Sequence, residues 1–118
     1  MRALITTFIF FVTILFFSCK NENETDMLIC GVKDPIKDLP WLNKEFKSLI
    51  GGPEINAIVL YIYNNNYVIE IQGSLFSSQN LHQYNCDGTK IYLEGLDFKK
   101  FLEVRKEVKV LFGTKIWN

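Results

Sequence analysis

Histidine is almost missing from this chain: of 118 residues only His82 offers an imidazole. Hydrolysis of the serine or cysteine type needs a base within hydrogen-bond reach of its nucleophile. His82 has only Ser77 and Ser78 close by in sequence, and no GxSxG elbow occurs anywhere. An isolated histidine on a strand reads as an ordinary solvent-facing or satisfied side chain. Cysteine is scarce too, with three residues and no CxxC, so two distant thiols and one histidine leave a zinc site short of a fourth ligand. No metal and no cofactor are therefore expected. Gly51-Gly52-Pro53 lacks the Lys-Ser/Thr of a phosphate loop. Charge of one sign is not in excess either: thirteen basic residues face thirteen acidic ones, with no basic stripe to hold a nucleic acid. Asp34 and Asp38 are the best carboxylate pair. They fall around a helix start, where acids complement the helix dipole for structural reasons alone. The expectation is no catalytic residue and no enzyme, a small secreted hydrolase being the alternative.

Long apolar runs are limited to one, Ala3 to Phe17, preceded by Met1-Arg2 and followed by the small Ser18. That is the layout of a secretory signal. Its fifteen residues fall short of the roughly 20 that a membrane-spanning helix requires. Cys19 comes directly after the small residue. Phe16-Phe17-Ser18-Cys19 resembles the lipobox of bacterial lipoproteins, in the Phe-rich form of the Bacteroidota. It departs from the usual pattern in having Phe in place of Leu at the third residue before Cys, and Phe in place of a small residue at the second. The resemblance implies a signal peptide over 1–18, a lipid on the thiol of Cys19, and attachment of the mature chain to the membrane through that lipid. The cell envelope, at the outer membrane, is the location it implies.

Removal of the signal leaves 100 residues, enough for a single domain. Residues 19–27 read as a lipidated, flexible tether, because KNENETD carries three acids and no apolar side chain. It is similar to the acidic export signal of surface-exposed lipoproteins, and equally compatible with a solvated linker facing the periplasm. Acylation of Cys19 leaves Cys30 and Cys86. Beyond the cytoplasm these two can persist as a disulfide; the other reading is two buried free thiols.

Residues 28–118 carry the fold signals. From Asp34 to Ile50, Leu39, Leu42, Phe46, Leu49 and Ile50 recur at helical spacing, with Asp38 as cap and Pro40 in the first turn. Trp41 should close the end of the core beside Cys30; an exposed aromatic anchor is the alternative. Ala57 to Tyr63 is apolar on both faces and reads as a central strand. Asn64-Asn65-Asn66 turns it into Tyr67 to Gln72, with Tyr67, Ile69 and Ile71 on one face and Val68, Glu70 and Gln72 on the other. Gly73 to Asn80 is a polar connection. A second hairpin joins Leu81–Cys86 to Thr89–Leu93 through Asp87-Gly88. A short helix over Leu96 to Val108, capped by Asp97, precedes a last strand with Val108, Val110 and Phe112. The sum is an α+β domain: a four- or five-stranded antiparallel sheet, with the N-terminal helix and the short second helix covering one face.

That pattern resembles small uncharacterised envelope lipoprotein families, which imply a location and a fold and no catalytic residue. If one sheet face is open, Tyr61, Tyr63, Tyr67, Tyr84 and Tyr92 can form an aromatic surface. Tyrosine offers contact area with a polar handle. The reading is a lipid-anchored binding protein whose partner is an envelope protein or a glycan. A cross-strand ladder that only stabilises the sheet, or a purely structural envelope role, is the alternative.

Overall fold

The computed structural model describes residues 27–117. The signal, Cys19 and nearly all of the tether lie outside the described residues.

The fold is organised by one strand with no polar side. β1, Asn56–Tyr63, is buried from Asn56 through Tyr61, so both of its faces demand cover. Asn64 and Asn65 then take left-handed φ values of 53° and 64°. Asparagine tolerates this region, and it gives a two-residue turn whose twist suits a hairpin. β2, Asn66–Gly73, returns antiparallel, from Tyr63↔Asn66 to Asn56↔Gly73. Asn66 therefore belongs to the strand, not to the turn. β3 is only Gln83–Tyr84 and pairs with β2. β4, Lys106–Gly113, pairs antiparallel with β1. The order is β3-β2-β1-β4, a four-stranded antiparallel sheet with β1 and β2 inside. The α+β class and the four-stranded sheet are as the sequence indicated.

β4 is an open edge, and it is blunted. Its register against β1 shifts twice, between Ile58 and Val59 and between Leu60 and Tyr61. Lys106 and Lys109 stand exposed along it. Bulges and lysines are how an edge resists pairing with another chain.

The first helical stretch is two helices. α1, Pro35–Asp38, is capped by Asp34, whose Oδ1 accepts from the Lys37 N–H at 3.4 Å. α2, Pro40–Lys47, begins after Leu39, which is extended at φ −94° and ψ 111°. Proline disfavours helical backbone in the residue before it, so Pro40 breaks the run and heads a new helix. Asp38 is thus not the cap expected from sequence. Its Oδ2 instead accepts from the Asp34 N–H at 3.1 Å.

α2 lies on the side of β1 that shows Ile58 and Leu60. Leu42 is fully buried there with Ile69, Ile71 and Tyr84. Phe46 meets Phe112 edge-on at 4.9 Å. Cys30 and Cys86 form a disulfide with Cα atoms 5.4 Å apart, which closes this side. Trp41 completes the clamp, as expected of a residue beside the bridge. Its Nε1–H donates to the Cys86 carbonyl at 2.8 Å, and its ring lies 5.1 Å from that of Tyr84. The indole also presses on Gly88, where a Cβ would come within 2.7 Å of it. That contact, and φ +91° at the same residue, explain why the Asp87-Gly88 turn needs glycine.

The opposite side is closed as well, which differs from the expectation of one covered face. α3, Gly95–Val104, meets it through the fully buried Phe101, whose ring stands edge-on to Tyr63 at 4.9 Å. Glu94 occupies the cap position without a side-chain bond, and Asp97 is in the first turn rather than the cap. Below α3, Glu70 is fully buried in a polar knot. Its Oε2 accepts from Arg105 Nη1 at 2.8 Å and Gln83 Nε2 at 2.7 Å, and its Oε1 from Gln72 Nε2 at 2.9 Å. The Gln72 oxygen takes the N–H groups of Ile116 and Trp117, at 2.7 and 3.2 Å, which ties the C-terminal segment onto the sheet. Glu70 and Gln72, polar by alternation, are therefore not a solvent face.

The second hairpin is shorter than expected: Gln83–Tyr84 pairs with β2, and its two arms are joined by the Asn85 N–H to Thr89 carbonyl and Ile91 N–H to Gln83 carbonyl bonds. Only Tyr84↔Lys90 forms a bridge across it. Beyond that, the Asn80 side chain takes the Leu93 carbonyl at 2.8 Å, and Cys86 is drawn to the disulfide.

The bridge closes a long loop, with a sequence separation of 56. In the chain-entropy account such a crosslink stabilises by about 4 kcal/mol. Urea unfolding should therefore show Cys86→Ser, and reduced wild type, destabilised by most of that amount. Unchanged midpoints in both would contradict a disulfide that supports the fold.

Candidate functional site

A concave site lies between the end of α2 and the connection from β2 to β3. The cleft has a volume of about 590 Å³, within the range of roughly 300–1,000 Å³ usual for ligand pockets. Glu45 and Ser48 come from α2, and Leu49 and Ile50 from the chain just after it. Ile71 comes from β2, Leu75, Phe76 and His82 from the connection, Tyr84 from β3 and Lys90 from the strap beyond the Gly88 turn.

Local chemistry sets each wall. Serine at the C-cap ends α2, with the Ser48 N–H donating to the Lys44 and Glu45 carbonyls. The chain then turns through Gly51 and Gly52, where the Asn56 side chain donates to the Ile50 carbonyl at 2.8 Å and the Gly52 carbonyl at 3.2 Å. That anchor leaves Ile50 facing water, 73% exposed. Elsewhere in the lining, Phe76 and His82 stack at 3.9 Å with planes 16° apart. The His82 carbonyl accepts the Ile71 N–H at 3.0 Å, so the stacked pair is fixed to β2. Leu75 forms a second apolar lip, 64% exposed.

The polar end of the cleft holds charges that are not paired with each other. The ion pairs among the described residues are Arg105–Glu70 and Lys115–Glu107. Glu45 and Lys90 belong to neither. Burial pushes the Tyr84 hydroxyl above its ordinary range, and the Glu45 carboxylate adds to the shift. Burial likewise lowers His82, with Lys90 acting in the same direction and the Ser78 carbonyl against it.

No protein-family model matches the chain, and no curated protein or solved structure is significantly similar to it. The site has to be read from its own groups.

The Ser48 hydroxyl donates to the Glu45 backbone carbonyl at 2.8 Å. Asp34 caps α1 and Asp38 is its last residue; each accepts a backbone N–H, and neither lines the cleft. Among the described residues, no three His, Cys, Asp or Glu side chains converge as a metal site would.

The five tyrosines of the sequence reading are scattered. Tyr61 is buried beneath Arg105, whose guanidinium carbon lies 3.8 Å from its ring centre, and its hydroxyl is pushed up to about 12 mainly by that burial. Tyr63 packs on Phe101 on the same side. Tyr67 and Tyr84 belong to the disulfide side, Tyr84 beneath Trp41. Tyr92 alone stands out, 73% exposed. Only Tyr84 lines the cleft, so no open tyrosine face exists among the described residues.

Sequence reasoning missed Glu45, Lys90, Leu75 and Phe76. Two are ordinary surface charges in one dimension. The one signal was an apolar pair, Leu75-Phe76, inside an otherwise polar connection.

The lowered His82 has a consequence for stability. A folded-state pKa below the unfolded value means that the unfolded chain takes up the proton first as pH falls. Stability present above about pH 6.5 is then lost as pH drops toward the folded-state value. NMR titration should place His82 below the ordinary histidine range, and His82→Gln should flatten the acid loss of stability. A midpoint at or above 6.5 would contradict the half-buried setting of the stack.

Proposed function

We propose that this chain is a lipid-anchored protein of the cell envelope, at the outer membrane, and that it works as a non-enzymatic binding module through the cleft of Glu45, His82, Tyr84 and Lys90. The cleft carries the reading. It combines apolar walls with a few convergent polar groups, which is how recognition sites are built. It offers no nucleophile bonded to a base, which a hydrolase of the serine or cysteine type requires.

One further feature supports export: the Cys30–Cys86 disulfide suits an oxidising compartment. No helix among the described residues is long and apolar enough to cross a membrane. The partner class is an envelope protein or a glycan. The cleft takes the place of the aromatic sheet face expected from sequence as the contact surface, because Tyr61 is buried beneath Arg105 and Tyr63 packs on Phe101.

The test uses the full chain expressed in a bacterium that processes lipoproteins. Wild type should sediment with membranes and have the intact mass of residues 19–118 plus acyl groups, while Cys19→Ser should do neither. Retention on native envelope extract should fall with Leu75→Asp at the cleft lip and survive Tyr92→Asp elsewhere. An unacylated wild type removes the anchor, and equal retention of the two variants removes the cleft.

A further inference from the structure

The lips of the cleft are aliphatic. Ile50 and Leu75, both in the lining of the cleft, expose 73% and 64% of their surface, where each stands to gain from a partner that covers it. The same lining holds a carboxylate and an ammonium, Glu45 and Lys90, neither in an ion pair, with Lys90 Nζ 5.9 Å from the Tyr84 ring centre. An occupant must therefore bring apolar bulk and must also answer both charges.

Three ligand chemistries can be weighed against that demand. A sugar ring stacks on an open aromatic plate, but Phe76 and His82 are stacked on each other and Tyr84 lies beneath Trp41. An alkyl chain would cover the lips and strip water from Glu45 without replacing its hydrogen bonds, which is costly for a charged group. A peptide supplies a large side chain for the lips, N–H and C=O groups for the polar end, and charges of either sign for Glu45 and Lys90. The volume of about 590 Å³ is ample for a few residues.

Building on the reading of the cleft as the recognition surface, we infer that its occupant is a short peptide segment of a partner protein, carrying a large aliphatic or aromatic side chain next to a basic residue. The apolar side chain covers the exposed Ile50 and Leu75. The basic residue pairs with Glu45, which is half-buried and so holds a cation in a less screened setting than exposed surface does. Lys90, more exposed, takes an acidic group or the peptide carbonyls.

The test is fluorescence anisotropy on the full chain, purified from its envelope into lipid nanodiscs, with labelled pentapeptides. Their centres are Leu, Phe or Ser, and their neighbours Lys or Glu. Leu- and Phe-centred peptides with an adjacent Lys should bind, and the Ser-centred ones should be about tenfold weaker or worse. Leu75→Asp should abolish the difference between Leu and Ser centres. Ile50→Asp, at a still more exposed site, repeats the test should the first variant misfold. Glu45→Gln should erase the preference for Lys over Glu and leave the preference for Leu over Ser. Equal binding of Leu and Ser centres, or no binding by any peptide, overturns the inference. Two added probes, a maltooligosaccharide and a short-chain phosphocholine, separate the layers. If either shifts the His82 NMR signals while no peptide does, the peptide class is wrong and the cleft remains a binding site. If no probe shifts them, both readings fall.

Discussion

The contact on which one whole side of this domain depends is the ion pair between Glu70 and Arg105, 2.8 Å long and with side chains 0% and 3% exposed. A carboxylate in the middle of a sheet face is tolerable only when its charge and lone pairs are met. Here Arg105, Gln72 and Gln83 meet them together. Arg105 follows the last residue of α3 and precedes β4, so the same guanidinium that neutralises Glu70 fixes where helix becomes strand. It also lies over the Tyr61 ring, and through Gln72 the knot reaches the C-terminal backbone. Charge, aromatic packing and chain path are thus settled by one group of side chains.

The other side is closed by different means. It has a larger apolar cluster under α2, and a covalent tie where the apolar packing ends. Cys30 sits in a tight turn at φ +56°, between Ile29 and Val32, whose backbones bond to each other at 2.8 and 3.0 Å. The disulfide and the Trp41 indole hold that turn and the Gly88 turn together. β1 belongs to both sides at once, which is why neither of its faces is available for recognition. With both faces covered, the cleft forms at the seam, where α2 ends and the long β2–β3 connection wraps past it.

Much of the fold was legible in one dimension. A strand apolar on both faces, a run of asparagines and strict alternation after it gave the β1–β2 hairpin, and the lipobox resemblance at Cys19 left Cys30 and Cys86 as the two cysteines to pair, as they do. The break at Leu39 was written in Pro40, whose effect on the preceding residue outweighed the helical spacing of the apolar side chains. The burial of Glu70 and Gln72 was not legible, because alternation assigns polar residues to water unless their partners are known. Those partners lie 13, 35 and 45 residues away, at Gln83, Arg105 and Trp117. The side on which α3 packs was hidden for the same reason: an apolar stripe says that a helix must be covered, not by which face of a sheet. The cleft was least legible of all, since its walls come from α2, the β2–β3 connection and the strap after Gly88, each unremarkable alone.

The account stands or falls on that second side being closed. Urea unfolding of Arg105→Met, Glu70→Gln and the double variant measures it most directly. Breaking a buried pair from one side typically costs 3–5 kcal/mol, roughly. The account predicts a loss of that order for Arg105→Met, which strands the Glu70 carboxylate, and recovery of most of it in the double variant. Near-neutral effects for all three would mean that Glu70 is solvated and the sheet face open, and the case for the cleft over the sheet face would go with it.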